Sequence, residues 1–309
     1  MFFIRGNVDG RNRRAFGRFL AIYAGFCYNR PWKGKDADGD AAGWHMKKRI
    51  FLSDIDGTLL KGRGSIPEAV AEAARRFAET GWLCLCTGRS LAAAEGIAGL
   101  LGVNAPSILL TGAELYDFQK KRAVWTQPME GDIRERIAWV LERYPGAGMQ
   151  VCTETEIYHL RLNERQRQHG IVEEAVGRPE YRLEDVKGEI LKLVIAGDDI
   201  RELEALGREV FSGREYKFAF ASRYFTEVVS SRAGKDAAMK KLAEIMEIPV
   251  GEFFAAGDSM TDLPMLKLAG TSFAPEDAME AVKACCGHIV PSPVHGGMQK
   301  AFALAMGEE

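Results

Sequence analysis

The sequence has no apolar run approaching the roughly 18 residues that a membrane-spanning helix needs, which excludes integral membrane roles of that kind. It has no charge surplus either. The 41 Lys and Arg stand against 43 Asp and Glu, a net charge of −2, so no global basic field is available to hold nucleic acid or an anionic membrane. C-x-x-C pairs are absent, and Cys27, Cys84, Cys86, Cys152, Cys285 and Cys286 do not alternate with His at zinc-ligand spacing. A chain this long has no need of a disulfide framework, so packed thiols in a reducing, cytoplasmic compartment are expected. Internal repeats and low-complexity tracts are absent as well. What is present, 47% hydrophobic and 27% charged residues over 309 positions, suits a globular chain of two domains.

Residues 1–45 differ from the rest. They are rich in Arg and Gly, with Arg11, Arg13, Arg14 and Arg18 clustered. Arg18 interrupts the mildly apolar stretch Phe16 to Phe26, and no small-residue cleavage site follows, which argues against a signal peptide. Met46-Lys47-Lys48-Arg49 runs straight into the apolar Ile50-Phe51-Leu52, as a natural start would. The expectation is that 1–45 is a disordered or dispensable extension, or a misassigned start. Any nucleic-acid contact would rest on its arginines alone.

From Lys48 the pattern alternates between short apolar runs and amphipathic stretches. Arg49–Ser53, Trp82–Cys86 and Ser107–Leu110 read as buried parallel strands, with helices over Pro67–Thr80 and from Ser90 to Leu101. Leu115–Phe118 and Ala123–Trp125 read as a hairpin. Between about Met129 and Phe220 the rhythm changes to a small α+β insertion. The β/α order then resumes with strand Thr226–Val229, helix Lys235–Met246, strand Phe253–Ala256, helix Thr261–Leu268, strand Thr271–Ala274 and helix Asp277–Ala284. This predicts an α/β fold: a doubly wound, Rossmann-like parallel sheet in two parts, 46–128 and 223–309, interrupted by an α+β cap over 129–222. In such folds ligands sit at the carboxyl ends of the strands.

Four of those ends carry compatible chemistry. Asp54-Ile55-Asp56-Gly57-Thr58 places two carboxylates just past a buried strand, costly unless a cation balances them. Thr87-Gly88-Arg89-Ser90 leads into a helix N-terminus, a natural anion site. Lys235 opens the helix after Ser231-Arg232-Ala233-Gly234. In Gly257-Asp258-Ser259-Met260-Thr261-Asp262 the two carboxylates are one helical turn apart and can share a pocket, as hard oxygen ligands for Mg2+ would.

Taken together and in order, these pieces resemble the haloacid dehalogenase superfamily of phosphatases. Asp54 and Thr87 are too close for an inserted domain, whereas the stretch from Thr87 to Lys235 has room for one. That resembles the type-II-capped, Cof-like subfamily, similar also to sucrose-phosphate and mannosyl-3-phosphoglycerate phosphatases. Two positions depart from the subfamily's habit: Thr111-Gly112-Ala113 replaces Asn-Gly-Ala, and Thr261-Asp262 replaces Asn-Asp. Threonine keeps a hydrogen-bonding group at both places with a different reach.

The resemblance implies Asp54 as nucleophile, forming an aspartyl-phosphate, and Asp56 as the acid and base that serves the leaving oxygen and then water. It implies Mg2+ held by Asp54, Asp56 through its backbone carbonyl, Asp258 and Asp262, with Thr87, Gly88 and Lys235 on the phosphoryl oxygens. Arg89, Thr111 and Thr261 become candidate substrate contacts. Glu154, Glu156, His159, Arg161 and Arg165 are candidate cap residues, and His295 stands in an ambiguous loop. The implied activity is Mg2+-dependent hydrolysis of a small phosphorylated metabolite, with a sugar phosphate as the leading class. A phosphomutase or phosphotransferase using the same aspartyl-phosphate is the alternative. A non-catalytic binding protein is disfavoured because Asp54 and Asp56 are both present. The partner expected is a small phosphate ester rather than nucleic acid or membrane, and oligomeric state is open.

Overall fold

A computed structural model describes residues 49–62, 64–172, 179–211, 213 and 215–308. The N-terminal stretch 1–45, including Cys27 and the clustered arginines, lies outside them, and Met46–Glu309 forms one compact unit. Among the described residues no helix is long and apolar enough to cross a membrane.

The centre of that unit is strand Ile50–Ser53, whose four residues are all buried. It pairs in parallel with Trp82–Leu85 on one side and Phe253–Ala256 on the other. Thr271–Pro275 and His288–Val290 extend the sheet in parallel beyond Phe253–Ala256. Alternation within the central strand sends Phe51 to one face and Ile50 and Leu52 to the other. Phe51 lies 4.6 Å from Phe302 and 5.6 Å from Phe77, ring centre to ring centre, so helices Glu68–Thr80 and Gly297–Met306 cover that face. Ile50 and Leu52 pack with Met239 and Leu242 of helix Lys235–Met246 on the opposite face. Truncating a ring as enclosed as Phe51 to alanine costs about 3–5 kcal/mol. The doubly wound parallel sheet expected from sequence is therefore the observed core.

A second, antiparallel sheet has the order Ile157–Arg161, Gly148–Cys152, Lys192–Ala196, Phe225–Ser230, Tyr216–Ser222. Helices Ile133–Arg143 and Ile200–Phe211 supply its apolar cover. One expectation fails here. The run Thr226–Val229 does not resume the parallel sheet; it lies antiparallel between Lys192–Ala196 and Tyr216–Ser222. An apolar strand looks the same in either sheet, and only its partners differ. A boundary at 222 would cut through this sheet, which reaches Ser230.

Ser107–Leu109 also leaves the parallel sheet. It touches it through one bridge, Cys86 to Ile108, and pairs antiparallel with Glu114–Asp117, which pairs with Arg122–Thr126. The turn Leu110–Gly112, between Ser107–Leu109 and Glu114–Asp117, has left-handed backbone at Leu110 (φ 49°) and Thr111 (φ 60°). The hairpin was expected. Strands Tyr216–Ser222 and His288–Val290 and helix Gly297–Met306 were not. The helices after Asp262 and Asp277 shrink to Leu263–Leu266 and Glu280–Lys283. No disulfide joins Cys84, Cys86, Cys152, Cys285 and Cys286, the first three of which are buried.

Candidate functional site

Asp54 follows the central strand and Asp258 follows its neighbour Phe253–Ala256. The Asp54 N–H donates to the Ala256 carbonyl at 3.0 Å, so the ladder carries both loops to one edge of the sheet. Asp262 closes the second loop on itself. Its Oδ2 accepts from the Asp258 N–H (3.2 Å), the Ser259 N–H (3.0 Å) and the Ser259 hydroxyl (2.8 Å). Oxygens of Asp54, Asp258 and Asp262 lie within 4.8 Å of one another. Gly57 makes the convergence possible: its φ is +92°, and a Cβ there would fall 2.2 Å from Asp258 Oδ2. The Thr58 hydroxyl donates weakly to Asp258 Oδ1 at 3.4 Å.

Lys235, the first residue of its helix, is 4% exposed. Its ammonium bridges Asp54 Oδ1 at 2.7 Å and Asp262 Oδ1 at 2.5 Å. Burial would discharge this lysine, but the two carboxylates outweigh it and hold its pKa well above the ordinary value. For Asp54 burial dominates: it pushes the carboxyl well up, against Lys235 and aided by Asp262 and Asp258. Asp258 is pushed up to about 6 by burial and then by Asp262. One lysine thus leaves this carboxylate set short of positive charge, and three hard oxygen donors suit a small divalent cation.

Asp56 does not join the cluster. Its side chain is half exposed, and the Arg89 guanidinium grips both oxygens, Nε to Oδ2 at 2.8 Å and Nη2 to Oδ1 at 2.7 Å. Thr87 is buried beside the third strand, with its N–H on the Ile108 carbonyl and its hydroxyl accepting the Arg89 N–H at 3.1 Å. Thr111 donates its hydroxyl to Glu227 at 2.7 Å. Thr261 is exposed and bonds Ser259 at 2.8 Å.

Of the cap candidates, Arg161 donates to the carbonyls of Leu141 and Tyr144, and Arg165 pairs with Asp198 over the Tyr224 ring. His159 is buried in the second sheet, while Glu154, Glu156 and His295 are exposed. Lys192, buried, and Glu227, partly buried, which sequence reasoning passed over, form an ion pair at 2.7 Å next to Gly88. A lone charge inside each of two apolar strands was the available signal.

A family model for haloacid dehalogenase-like hydrolases matches residues 51–302, and the chain belongs to that family. Pyridoxal phosphate phosphatase YbhA of Escherichia coli is 25% identical over 254 residues, 77% of this chain and 92% of the relative. The 5-amino-6-(5-phospho-D-ribitylamino)uracil phosphatase YcsE of Bacillus subtilis is 24% identical over 259 residues, 82% and 94% of the two chains. A solved haloacid dehalogenase-like hydrolase from Bacteroides thetaiotaomicron superposes with a TM-score of 0.75 at 22% identity, covering 84% of this chain and 99% of that one, and shares the fold. The chain is an enzyme of the phosphatase class.

Proposed function

We propose that the enzyme hydrolyses a small phosphorylated metabolite, a sugar phosphate being the leading class, through a phosphoenzyme at Asp54. The observation that carries this reading is the buried Lys235 bridge between Asp54 and Asp262, with Asp258 beside it at the carboxyl edge of a parallel sheet. Relatives named for pyridoxal phosphate and for a phosphoribitylaminouracil support a small phosphate ester as substrate.

An Asp54 carboxylate oxygen attacks phosphorus as the ester P–O bond breaks, and Asp56 gives a proton to the departing oxygen. Asp56 then takes a proton from water, which attacks phosphorus and releases inorganic phosphate with Asp54 regenerated. Since Arg89 occupies both Asp56 oxygens, substrate entry must displace one of those bonds before the proton can move. Lys235 holds the nucleophile in place and, with the Thr87–Gly88 loop, faces the phosphoryl oxygens. Asp262 orients Lys235 and fixes the loop that presents Asp258. Asp54, Asp258 and the Asp56 carbonyl are the groups that would hold Mg2+, which would supply positive charge to offset the phosphoryl group. Buried cysteines outside any disulfide fit a reducing, cytoplasmic setting.

Phosphate release from para-nitrophenyl phosphate and a panel of phosphorylated metabolites with Mg2+ tests this. Wild type should release phosphate rather than isomerise the ester, and Asp54→Asn should release none. Full activity in Asp54→Asn removes Asp54 from the nucleophile's place.

A further inference from the structure

The Leu110–Gly112 turn lies against both halves of the anion site. The Thr111 N–H donates to the Thr87 carbonyl at 3.1 Å, and the Leu110 N–H donates to the Arg89 carbonyl at 3.1 Å. On its other side the turn abuts the helix that starts with Lys235: a Cβ on Gly112 would fall 2.2 Å from the Gly234 carbonyl carbon and 2.7 Å from the Lys235 nitrogen. The turn is nonetheless a poor structure alone, because Leu110 and Thr111 both sit at positive φ, a backbone state costing non-glycine residues about 1–3 kcal/mol each. Something must hold it.

Two side chains of the second sheet do so. Glu227 accepts the Thr111 hydroxyl at 2.7 Å through Oε2 and pairs with Lys192 at 2.7 Å through Oε1. Lys192, 2% exposed, donates to the Gly88 carbonyl at 2.8 Å. One bond reaches Gly88, expected to meet phosphate, and the other Thr111, a candidate substrate contact. Burial pushes the Glu227 carboxyl up, but Lys192 and Thr111 outweigh it and hold it below the usual range.

We infer that Lys192 and Glu227 are positioning residues: by holding the Gly88 carbonyl and the Thr111 hydroxyl they set the strained 110–112 turn, and through it the placing of Thr87 and Lys235 around the phosphoryl group. The inference rests on the phosphatase reading. It also gives Thr111 a role that needs no substrate contact. Removing partners that orient groups at a reacting centre lowers activity by about 10–100-fold.

The test measures steady-state hydrolysis of para-nitrophenyl phosphate with Mg2+ and amide hydrogen exchange of the full chain. In Glu227→Gln and Lys192→Met, kcat should fall about 10–100-fold with KM changed less than about threefold, and amides of 110–112 should exchange faster while those of 253–256 do not. Thr111→Val removes only the hydroxyl and no charge, so it serves if the charge variants fail to fold; it should show the same pattern. The swap Lys192→Glu with Glu227→Lys restores an ion pair but puts a carboxylate against the Gly88 carbonyl. It should recover thermal stability without recovering kcat. Recovery of kcat in the swap, or an unchanged kcat in Thr111→Val, overturns the inference. If wild type releases no phosphate from any ester, the phosphatase reading falls. Exchange at 110–112 then decides the pair's role, faster in Glu227→Gln and Thr111→Val if it holds and unchanged if it does not.

Discussion

Glu114 lies two residues past Gly112 and is 1% exposed, and its Oε1 has no hydrogen-bond partner among the described residues. Burial, and then the nearby Glu154, push its carboxyl from 4.5 up to about 8. The folded chain therefore keeps a proton that the unfolded chain loses near pH 4.5. Protons bound to the folded state are favoured by low pH, so stability falls as pH rises through that window and is lowest above about 8. Each unit of such a difference is worth about 1.4 kcal/mol, so between about pH 5 and pH 7 the fold loses at most about 2.5 kcal/mol at this one residue. Glutamine has the shape of the protonated acid and does not titrate. The Glu114→Gln variant should therefore gain on wild type as pH rises. At about 2–4 °C per kcal/mol for a chain near this size, the difference in Tm should widen by about 5–10 °C over those two units. Thermal melts of both proteins at pH 5, 6 and 7 without Mg2+ measure it, and groups common to both cancel in the difference. Parallel curves of Tm against pH would refute the buried, proton-holding carboxyl. A Glu154→Gln variant should flatten the wild-type slope slightly, since Glu154 is the lesser cause.

Lys235→Met leaves Asp54 and Asp262 buried, close together and without their shared cation, and should lower stability at pH 7 by about 3–5 kcal/mol in urea melts without metal. Since the lost charge is what matters, Mg2+ or lower pH should restore part of it; equal loss under all conditions would point to packing instead. Mg2+ should raise the Tm of wild type, by the equivalent of about 2.7 kcal/mol at a hundredfold excess over Kd. Asp258→Asn should remove most of that shift and chelation should reverse it, whereas an undiminished shift would place the cation elsewhere.

The edge that carries the candidate site was legible because a buried parallel strand reads as an unbroken apolar run, and the residues after it are where such folds meet their ligands. Ile50–Ser53 delivers Asp54 and Phe253–Ala256 delivers Asp258 in this way, and helix Lys235–Met246 starts where sequence puts it. Sequence could not say that Asp56 would turn outward to Arg89, since a D-x-D turn permits either direction until its partner's position is fixed. Nor could it assign Phe225–Ser230 to a sheet, because period and apolarity do not name a neighbour. That second failure concealed the pair that bonds the Gly88 carbonyl and the Thr111 hydroxyl. Lys192 and Glu227 each look like a polar interruption of an apolar strand. They become one ion pair only because Phe225–Ser230 pairs antiparallel with Lys192–Ala196, setting Val229 opposite Lys192 and Glu227 opposite Val194 on the same stretch of ladder. A buried charge in a strand thus announces that a partner exists, and topology alone supplies which one. Here the partner lies in a sheet that sequence had divided between two domains, and the pair it completes reaches the loops where the phosphate is expected.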